Sequence, residues 1–458
     1  MELTRTVCDR ARLARDARFD GRFFIGVTST KIYCRPVCPA PSPKPANILY
    51  FPSAAAAAEA GFRPCLRCRP ETSPGTPAWL GTSVSVSRGL KLIAEGGLDG
   101  TSVDDLAERL GVGSRHLRRM FLQHLGATPV AIAQTRRVHF AKKLIDETEL
   151  PMTQVAMASG FGSIRRFNTV FRNLYGRTPR DLRRVRVRPA NEAGVYTFRL
   201  GYRPPYNWAS IIGFLGERAI PGVETITVEH YRRTISLAGH AGVISVRPVP
   251  NSHHLELRIE FPEPTLLFRI VERVRNIFDL RADPTDVDEH LARDPDLKAA
   301  VRSFAGMRVP GCWDGFEIAV RAILGQQVSV KAATTMAGRI VAEFGGANLF
   351  PLADALADAD LTKIGLTKAR AHSIREIAAA VARGEVSFDA SRGLEHFEET
   401  MVKLPGIGPW TAQYIAMRIG EPDAFPAGDL YLKKFVKSSD AWRPWRAYAA
   451  MYIWSGHS

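Results

Sequence analysis

At 458 residues the chain exceeds what one hydrophobic core can organise, so two to four compact domains are expected. Its 45% apolar and 24% charged residues are those of a soluble globular protein, which excludes a largely disordered or fibrous chain, and no stretch approaches the length of a membrane span. The net charge of +16 is uneven: residues 1–78 hold 12 basic and 6 acidic side chains, residues 79–188 hold 19 and 9, and residues 189–458 hold 31 and 31. A basic first part beside a neutral remainder points to a polyanion partner, whether DNA, RNA or an anionic membrane. The opening Met1-Glu2-Leu3-Thr4-Arg5 lacks the order of a signal peptide, so a cytoplasmic protein with reduced thiols is expected.

Punctuation divides the chain into four expected domains, together a multidomain α+β protein. A small zinc-bound α/β unit spans 1–75 and ends in a linker, Glu71-Thr-Ser-Pro-Gly-Thr-Pro-Ala78, whose prolines and glycine cannot continue a helix or a central strand. An all-α unit spans 79–188 and closes at a break near Arg186-Val-Arg-Pro189. An α+β unit spans 194–303, with strand alternation in Tyr196–Leu200, Glu224–Val228 and Leu255–Ile259. From about residue 265 the apolar spacing turns helical, and a helical unit spans 304–458.

In the first unit, four of the six cysteines stand as Cys34-Arg-Pro-Val-Cys38 and Cys65-Leu-Arg-Cys68, with 26 residues between the pairs. In a reducing compartment such pairs bring four thiolates to one tetrahedral Zn2+, whereas disulfides between them would not persist. Spacing alone favours a closed structural site, the commoner fate of four-cysteine zinc. Cys8 and Cys312 read as ordinary thiols.

Beyond spacing, Ile32-Tyr-Cys-Arg-Pro-Val-Cys38 followed by Gly61-Phe-Arg-Pro-Cys-Leu-Arg-Cys-Arg-Pro-Glu71 resembles the methyl phosphotriester sensor of Ada-type proteins. The resemblance implies that Cys34 is both a zinc ligand and a nucleophile, taking a methyl group irreversibly from a DNA backbone phosphotriester. A zinc-held thiolate can displace a methyl group from a phosphate oxygen, as a thiol cannot. Four thiolates on one divalent zinc carry a formal −2, and converting one to a thioether leaves −1. DNA then repels the site less, by on the order of 1–3 kcal/mol at close approach, so the sensor is expected to become a damage-triggered promoter binder. After Cys38 the chain has Pro39-Ala-Pro-Ser-Pro-Lys-Pro45, where the best-known relatives are more basic.

The second unit carries an internal repeat. Leu106-Ala-Glu-Arg-Leu-Gly-Val-Gly-Ser114 is echoed by Val155-Ala-Met-Ala-Ser-Gly-Phe-Gly-Ser163, and Gly126-Ala-Thr-Pro129 by Gly176-Arg-Thr-Pro179. Each copy reads as a small apolar helix, a glycine turn, and a serine cap opening a second helix. Those second helices are basic, with Arg115, His116, Arg118 and Arg119 in one and Arg165, Arg166, Asn168 and Arg172 in the other. Such side chains suit phosphates and guanine edges, although charge on a helix is more often a solvated face. The tandem resembles the AraC-type transcription-regulator module over residues 85–186, which implies double-stranded DNA read in adjacent major grooves.

In the last unit, Leu404-Pro-Gly-Ile-Gly-Pro-Trp-Thr-Ala-Gln-Tyr414 allows a tight turn between helices at Gly406 and Gly408, whose backbone amides can hold a DNA phosphate. By itself this is weak evidence. With Asp429, fifteen residues beyond Tyr414 in Phe425-Pro-Ala-Gly-Asp-Leu-Tyr-Leu432, it resembles the helix-hairpin-helix glycosylase superfamily. The AlkA-type 3-methyladenine branch matches over about 194–455, including Pro204-Pro-Tyr-Asn-Trp208, Gly213-Phe214, Val320-Arg-Ala-Ile-Leu-Gly-Gln326 and Arg443-Pro-Trp-Arg446.

That resemblance implies a catalytic Asp429 and a base pocket of Trp410, Tyr414 and Trp454, with Phe214 at its side; helical spacing alone would put Trp410 and Tyr414 in the core. A carboxylate stabilises the positive charge that develops on the sugar as a base departs, and orients the attacking water. Alkylated purines such as 3-methyladenine and 7-methylguanine are themselves cationic, leave readily, and bind aromatic faces after the nucleotide is flipped out. Trp410 stands where lyase-type relatives carry an amine nucleophile, so a hydrolytic, monofunctional glycosylase is expected. No cysteine cluster accompanies this unit, so no iron-sulfur centre is expected; hairpin carbonyls offer a place for a monovalent cation. Gln327 occupies the position where the best-known relative inserts an apolar wedge into the duplex. Only six residues separate Phe435 from Trp442, fewer than relatives use, and no O6-methylguanine transferase unit has a counterpart.

The expected protein is therefore a monomeric glycosylase with its own alkylation-responsive activator, meeting alkylated DNA, promoter DNA and RNA polymerase, and no membrane. The competing reading is a methylation-switched activator whose glycosylase half is inactive and serves DNA binding or dimerisation.

Overall fold

The computed structural model describes residues 3–77, 84–183 and 194–456. The break near Arg186–Pro189 and the last residue of the expected linker lie outside them. Among the described residues no helix is long and apolar enough to cross a membrane.

The first unit is a four-stranded mixed sheet in the order β3-β1-β2-β4, with β1 Phe24–Val27, β2 Ile32–Cys34, β3 Ile48–Phe51 and β4 Arg63–Pro64. Only the β2–β4 pair is parallel, and it sets the two cysteine pairs side by side at the ends of adjacent strands. Helix Arg5–Ala14 packs its buried Cys8 and Ala11 on one side of this sheet. Ser53 caps helix Ala54–Glu59 by accepting from the Ala56 amide at 3.0 Å and also donates 2.7 Å to the Leu125 carbonyl. The small alanines of that helix let it lie close against Ala127, Ala131 and Ile132 of the second unit.

Two helix-turn-helix copies follow, Val103–Arg109 with Ser114–Leu125 and Met152–Ala158 with Ile164–Tyr175, joined by the long helix Pro129–Glu147. Their buried faces match at helical spacing: Leu117, Phe121 and Leu125 in the first, Phe167, Phe171 and Tyr175 in the second. Ser163 caps its helix as expected, accepting from the Arg166 amide at 3.2 Å. Ser114 does not: Gly113 is the N-cap there, without a side-chain cap, and Ser114 is already helical. The helices end 50 residues apart, at the left-handed Gly126 and Gly176, whereas the turns repeat at 49, so the first basic helix begins one residue earlier in its copy.

The third unit holds an antiparallel five-stranded sheet, β5-β9-β8-β7-β6, built from β5 Val195–Gly201, β6 Glu224–Ile226, β7 Tyr231–Leu237, β8 His240–Pro248 and β9 His254–Glu260. One face is apolar, with Phe198, Leu200, Ile244, Val246, Leu255, Leu257 and Ile259 all buried. The cores do not follow chain order. That sheet and helix Leu267–Ile277 share one continuous core with the second helix-turn-helix copy, through Phe140, Phe171 and Leu182. Helices Pro284–Leu291 and Pro295–Ser303 place Val287, Leu291, Leu297 and Val301 in the core of the C-terminal helical unit.

The units are further fastened by charge. Arg22 of the first unit pairs with Asp283 at 3.2 Å and Asp286 at 3.0 Å. Arg88 of the second pairs with Glu421 of the last at 3.1 Å, and Lys91 donates 2.6 Å to the Ile419 carbonyl. Over its described residues the expected linker forms no strand and no helix beyond a 3-10 turn, Pro70–Thr72, as its prolines dictate. It is nevertheless a packed strap: Glu71 and Ser73 are buried, and the Gly75 carbonyl accepts from buried Arg203.

Tyr33, beside Cys34, is fully buried, and its hydroxyl lies 2.9 Å from His139 Nε2 on the long connecting helix. Burial lowers the His139 pKa from 6.5 to about 4, so the ring is neutral in the folded protein. The unfolded chain takes up a proton first, so stability is intact above pH 6.5 and is lost as pH falls toward 4, by about 2–3 kcal/mol. Asp279, raised by burial to about 6, acts with opposite sign, losing stability as pH rises from 3.8 to about 6. Urea titrations of wild type and His139→Gln should therefore differ in their dependence on pH: the variant lacks the His139 share of the acid-side loss between pH 6.5 and 4, while the contributions of Asp279 and of His254, whose pKa burial also lowers, remain in both.

Candidate active site and metal centre

Helix Pro409–Arg418 starts at Gly408, and its first turn carries Trp410 on the same face as Tyr414, one turn on. Their rings stack at 5.3 Å with an interplanar angle of 6°. These two, Trp454 from helix Arg446–Ser455, and Asp429 from the loop after Phe425 line a single pocket of about 360 Å³. Asp429 is held at one oxygen: Oδ1 accepts from the amides of Tyr431 at 2.9 Å and Leu432 at 3.3 Å, and from Trp454 Nε1 at 3.1 Å. Its other oxygen makes no hydrogen bond among the described residues, so the carboxylate is oriented yet keeps an acceptor free.

Phe214 does not line this pocket. It stands behind Trp454, centroids 6.5 Å apart, with the Arg218 guanidinium 3.9 Å and the Arg418 guanidinium 5.1 Å from its ring. Arg218, Arg321 and Tyr431 line the pocket without having been singled out from the sequence. Arg418, four residues after Tyr414, donates 2.9 Å to the phenol oxygen. Burial raises the Tyr414 pKa, but the charges of Arg418, Arg218 and Arg321 outweigh it, and the phenol lies below its ordinary value. Helical spacing from Tyr414 was the available signal for Arg418; nothing local marked Arg218, which comes from helix Trp208–Glu217's C-cap.

The hairpin beside the pocket depends on Gly406. Its φ of +79° favours glycine, and an added Cβ would lie 2.2 Å from Ser373 Oγ. Its carbonyl accepts from Gln326 Nε2 at 2.7 Å. A Cβ added at Gly408 would meet nothing within 4 Å, and no side chain caps the start of the helix. Gln327 is exposed and holds a left-handed φ of +55°, unusual for a side chain of this kind and a sign of a conformation imposed by its surroundings. The short stretch from Phe435 to Trp442 joins two 3-10 turns, Leu432–Phe435 and Ser439–Trp442, and Trp442 is buried with its Nε1 2.6 Å from Asp294.

Far from that pocket, the four sulfurs of Cys34, Cys38, Cys65 and Cys68 all lie within 4.8 Å of one another. A tetrahedral zinc with Zn–S bonds of about 2.3 Å needs sulfurs roughly 3.8 Å apart, so this donor set fits the ion. The Arg35 amide points at Cys68 Sγ, 3.4 Å away, and the Arg35 side chain is bound by Asp20 and by the Cys68 carbonyl at 3.0 Å. As free thiols the four share protons unequally: hydrogen bonding with Cys34 lowers Cys38 to about 7, and bonds from Cys34, Cys38 and Cys68 drive Cys65 far down, while Cys34 itself is raised. Cys34 and Cys38 are partly exposed; Cys65 and Cys68 are buried. Outside the cluster a groove of about 590 Å³ carries Arg12, Arg15, Arg63 and Arg67, with Arg177 from the second helix-turn-helix copy.

Of the basic-helix residues, Arg115, Arg118, Arg119, Arg165, Arg166 and Arg172 are exposed and Asn168 is half-buried. Among the described residues none of these arginines makes an ion pair, although Arg119 lies 3.0 Å from His116 Nδ1. Unneutralised arginines on two parallel copies differ from an ordinary solvated face, where acids are interspersed.

Four stretches match described families: residues 7–71 the metal binding domain of Ada, residues 106–185 a helix-turn-helix domain, residues 197–314 the AlkA N-terminal domain, and residues 320–452 the HhH-GPD superfamily of base excision DNA repair proteins. The chain is 40% identical over 475 residues to a probable bifunctional transcriptional activator/DNA repair enzyme AlkA of Mycobacterium tuberculosis, across 98% of this chain and 95% of that one. It is 33% identical over 278 residues to DNA-3-methyladenine glycosylase 2 of Escherichia coli, covering 56% of this chain and 96% of the relative. It is 32% identical over 176 residues to the bifunctional transcriptional activator/DNA repair enzyme AdaA of Bacillus subtilis, covering 38% and 81%.

The two hairpin glycines should respond differently to a methyl group. Gly406→Ala is expected to lower stability by about 1–3 kcal/mol, because both φ and the Ser373 contact oppose it, whereas Gly408→Ala should stay within about 0.5 kcal/mol of wild type. Urea unfolding of the two variants measures the difference.

Proposed function

This chain belongs to the family of bifunctional transcriptional activators and DNA repair enzymes, and from that premise we propose how its residues divide the work. It joins an alkylbase DNA glycosylase to an Ada-type methyl phosphotriester sensor and a helix-turn-helix activator. In our reading Asp429 is the catalytic carboxylate and Trp410, Tyr414 and Trp454 form the wall against which a flipped, alkylated purine stacks. The observation that carries this is the shared pocket, in which Trp454 both lines the cavity and fixes Asp429 Oδ1.

As the bond from the sugar to a cationic base such as 3-methyladenine breaks, its electron pair leaves with the base and positive charge develops on the sugar. The free oxygen of Asp429 faces that charge and orients the water whose oxygen takes the vacated position. The parallel Trp410–Tyr414 rings, fixed by the Arg418 bond to the phenol, offer an electron-rich face to the cationic base. Gly406 and Gly408 present the hairpin amides to a backbone phosphate, where the carbonyls also suit a monovalent cation, and Gln327 enters the gap left in the stack.

At the other site Cys34, Cys38, Cys65 and Cys68 hold one Zn2+, which keeps Cys34 a thiolate at neutral pH. Cys34 and Cys38 are both partly exposed and both line the basic groove, and the resemblance to Ada-type sensors makes Cys34 the methyl acceptor: its sulfur forms a bond to the methyl carbon as the O–CH3 bond breaks and the phosphodiester leaves as an anion. The exposed Arg15, Arg63 and Arg67 supply the phosphate contacts that the proline-rich segment after Cys38 lacks. The lowered negative charge then favours promoter DNA, read by Arg115, Arg118, Arg119, Arg165, Arg166, Asn168 and Arg172. The protein acts as a monomer in the cytoplasm and meets RNA polymerase at the promoter.

Asp429→Asn should lower release of free 3-methyladenine from methylated DNA by about 100-fold or more while retaining binding to that DNA. Equal activity in wild type and variant would reject Asp429 as the catalytic carboxylate, and no activity in either would favour an activator with a silent glycosylase half. Mass spectrometry after incubation with methylated DNA should find one added methyl on Cys34, and a methyl on Cys38 instead would reverse the assignment of the nucleophile. Arg118→Ala and Arg166→Ala should each weaken promoter binding by the methylated protein, most visibly at low salt, in a fluorescence anisotropy titration.

A further inference from the structure

Several buried arginines among the described residues leave a nitrogen without an acceptor, and Arg275 is one of them. Arg275, on helix Leu267–Ile277, is 7% exposed, and its guanidinium, with five N–H donors, makes no hydrogen bond among the described residues. Its nearest carboxylate is Glu272, 3.7 Å from Nε, and that carboxylate is already held tightly by Arg281. Burial lowers the Arg275 pKa to about 10, so the group remains charged at neutral pH. A buried guanidinium without acceptors is costly, and proteins rarely leave one so.

Arg275 lines a cavity of about 260 Å³ where all four units meet. The other charges on its wall have partners of their own. Glu71 is bound to Arg69 at 2.9 Å, Glu421 to Arg88 at 3.1 Å, and Asp279 to the Tyr448 hydroxyl at 2.7 Å. Lys143 pairs with Glu147 at 3.1 Å. Arg136, stacked 4.2 Å from the Phe268 ring centroid, pairs with Asp99 through Nη2, yet its Nε is a second buried donor without an acceptor on the same wall.

We propose that this junction cavity binds a small phosphate-type oxyanion, taken by Arg275 with help from Arg136 Nε. A tetrahedral oxyanion supplies several acceptors at once and matches guanidinium forks. Because Arg136 lies on the helix between the two DNA-reading copies and Arg275 on the unit beside the glycosylase, the anion bridges them. The source is either free inorganic phosphate or the phosphate of a mononucleotide.

The test is calorimetric titration of the full, zinc-loaded chain without DNA, at fixed ionic strength set with chloride, using inorganic phosphate and, separately, adenosine monophosphate. One saturable site is expected, and the tighter of the two probes identifies the source. Arg275→Gln should weaken binding by about 10-fold or more. Without phosphate that variant should melt no lower than wild type, since it removes a buried charge that has no hydrogen-bond acceptor. Arg136→Gln should weaken binding by a smaller factor and serves if the first variant does not fold. Absence of saturable binding in the wild type, or unchanged affinity in the variants, would mean a water-filled cavity or phosphate on the DNA-reading faces, and either result overturns the proposal.

Discussion

The last turns of the helix Pro129–Glu147 hold the molecule in one piece. There Asp146 and Glu147 face Arg69 of the sensor at 2.9 and 3.6 Å, while Lys143 reaches across to the Arg199 carbonyl of the sheet unit. Lys142, Lys143 and Glu147 are all buried. Charges removed from water this completely are kept only where opposite charges and backbone acceptors are in place, and removing one partner from such a set typically costs about 3–5 kcal/mol. A shift of the sensor relative to this helix would strand several of them together, so the zinc cluster, the two basic helices and the sheet keep a fixed geometry.

That constraint gives the sensor's chemistry a route to the DNA-reading surface. Cys34 ends β2, Tyr33 precedes it in the same strand, and Tyr33 is bonded to His139 on the connecting helix. Arg177, at the end of the second basic helix, already lines the groove beside the cysteines. The groove is thus a surface that the sensor and the second helix-turn-helix copy share, and a change of one charge at its edge acts on both. The glycosylase pocket is built on another principle. Its rings are fixed by packing and by the Arg418 and Trp454 hydrogen bonds, which hold its groups in place before any ligand enters.

What could be read from the residues divides by how local the chemistry is. Four cysteines in two short pairs announce a metal site because thiolates at that spacing have few other uses in a reducing compartment. The repeat of about 50 residues and its basic helices were likewise legible, and only the serine cap of the first copy failed, by a single residue of phase. Trp410 and Tyr414 would have passed for core residues, and it is Asp429, far along the chain, that gives them a purpose. The bond from Trp454 to Asp429 crosses 25 residues of sequence, and the Arg218 and Arg321 side chains reach the pocket from still more distant helices. No periodicity encodes such meetings. The interleaving of cores was equally hidden, because apolar spacing shows which face of a helix is buried but not against which neighbour.

The packed strap of residues 70–77 bears on how the protein can be taken apart. A gene fragment ended at the proline-rich segment looks safe on paper, since such segments commonly separate independent modules. Here that cut would deprive Arg203 of the Gly75 carbonyl and uncover Glu71 and Ser73. Fragments carrying the sensor alone, or the glycosylase alone, would each present a raw seam to solvent, prone to self-association and low yield. Dissection of the two activities is better attempted by single substitutions in the intact chain than by truncation.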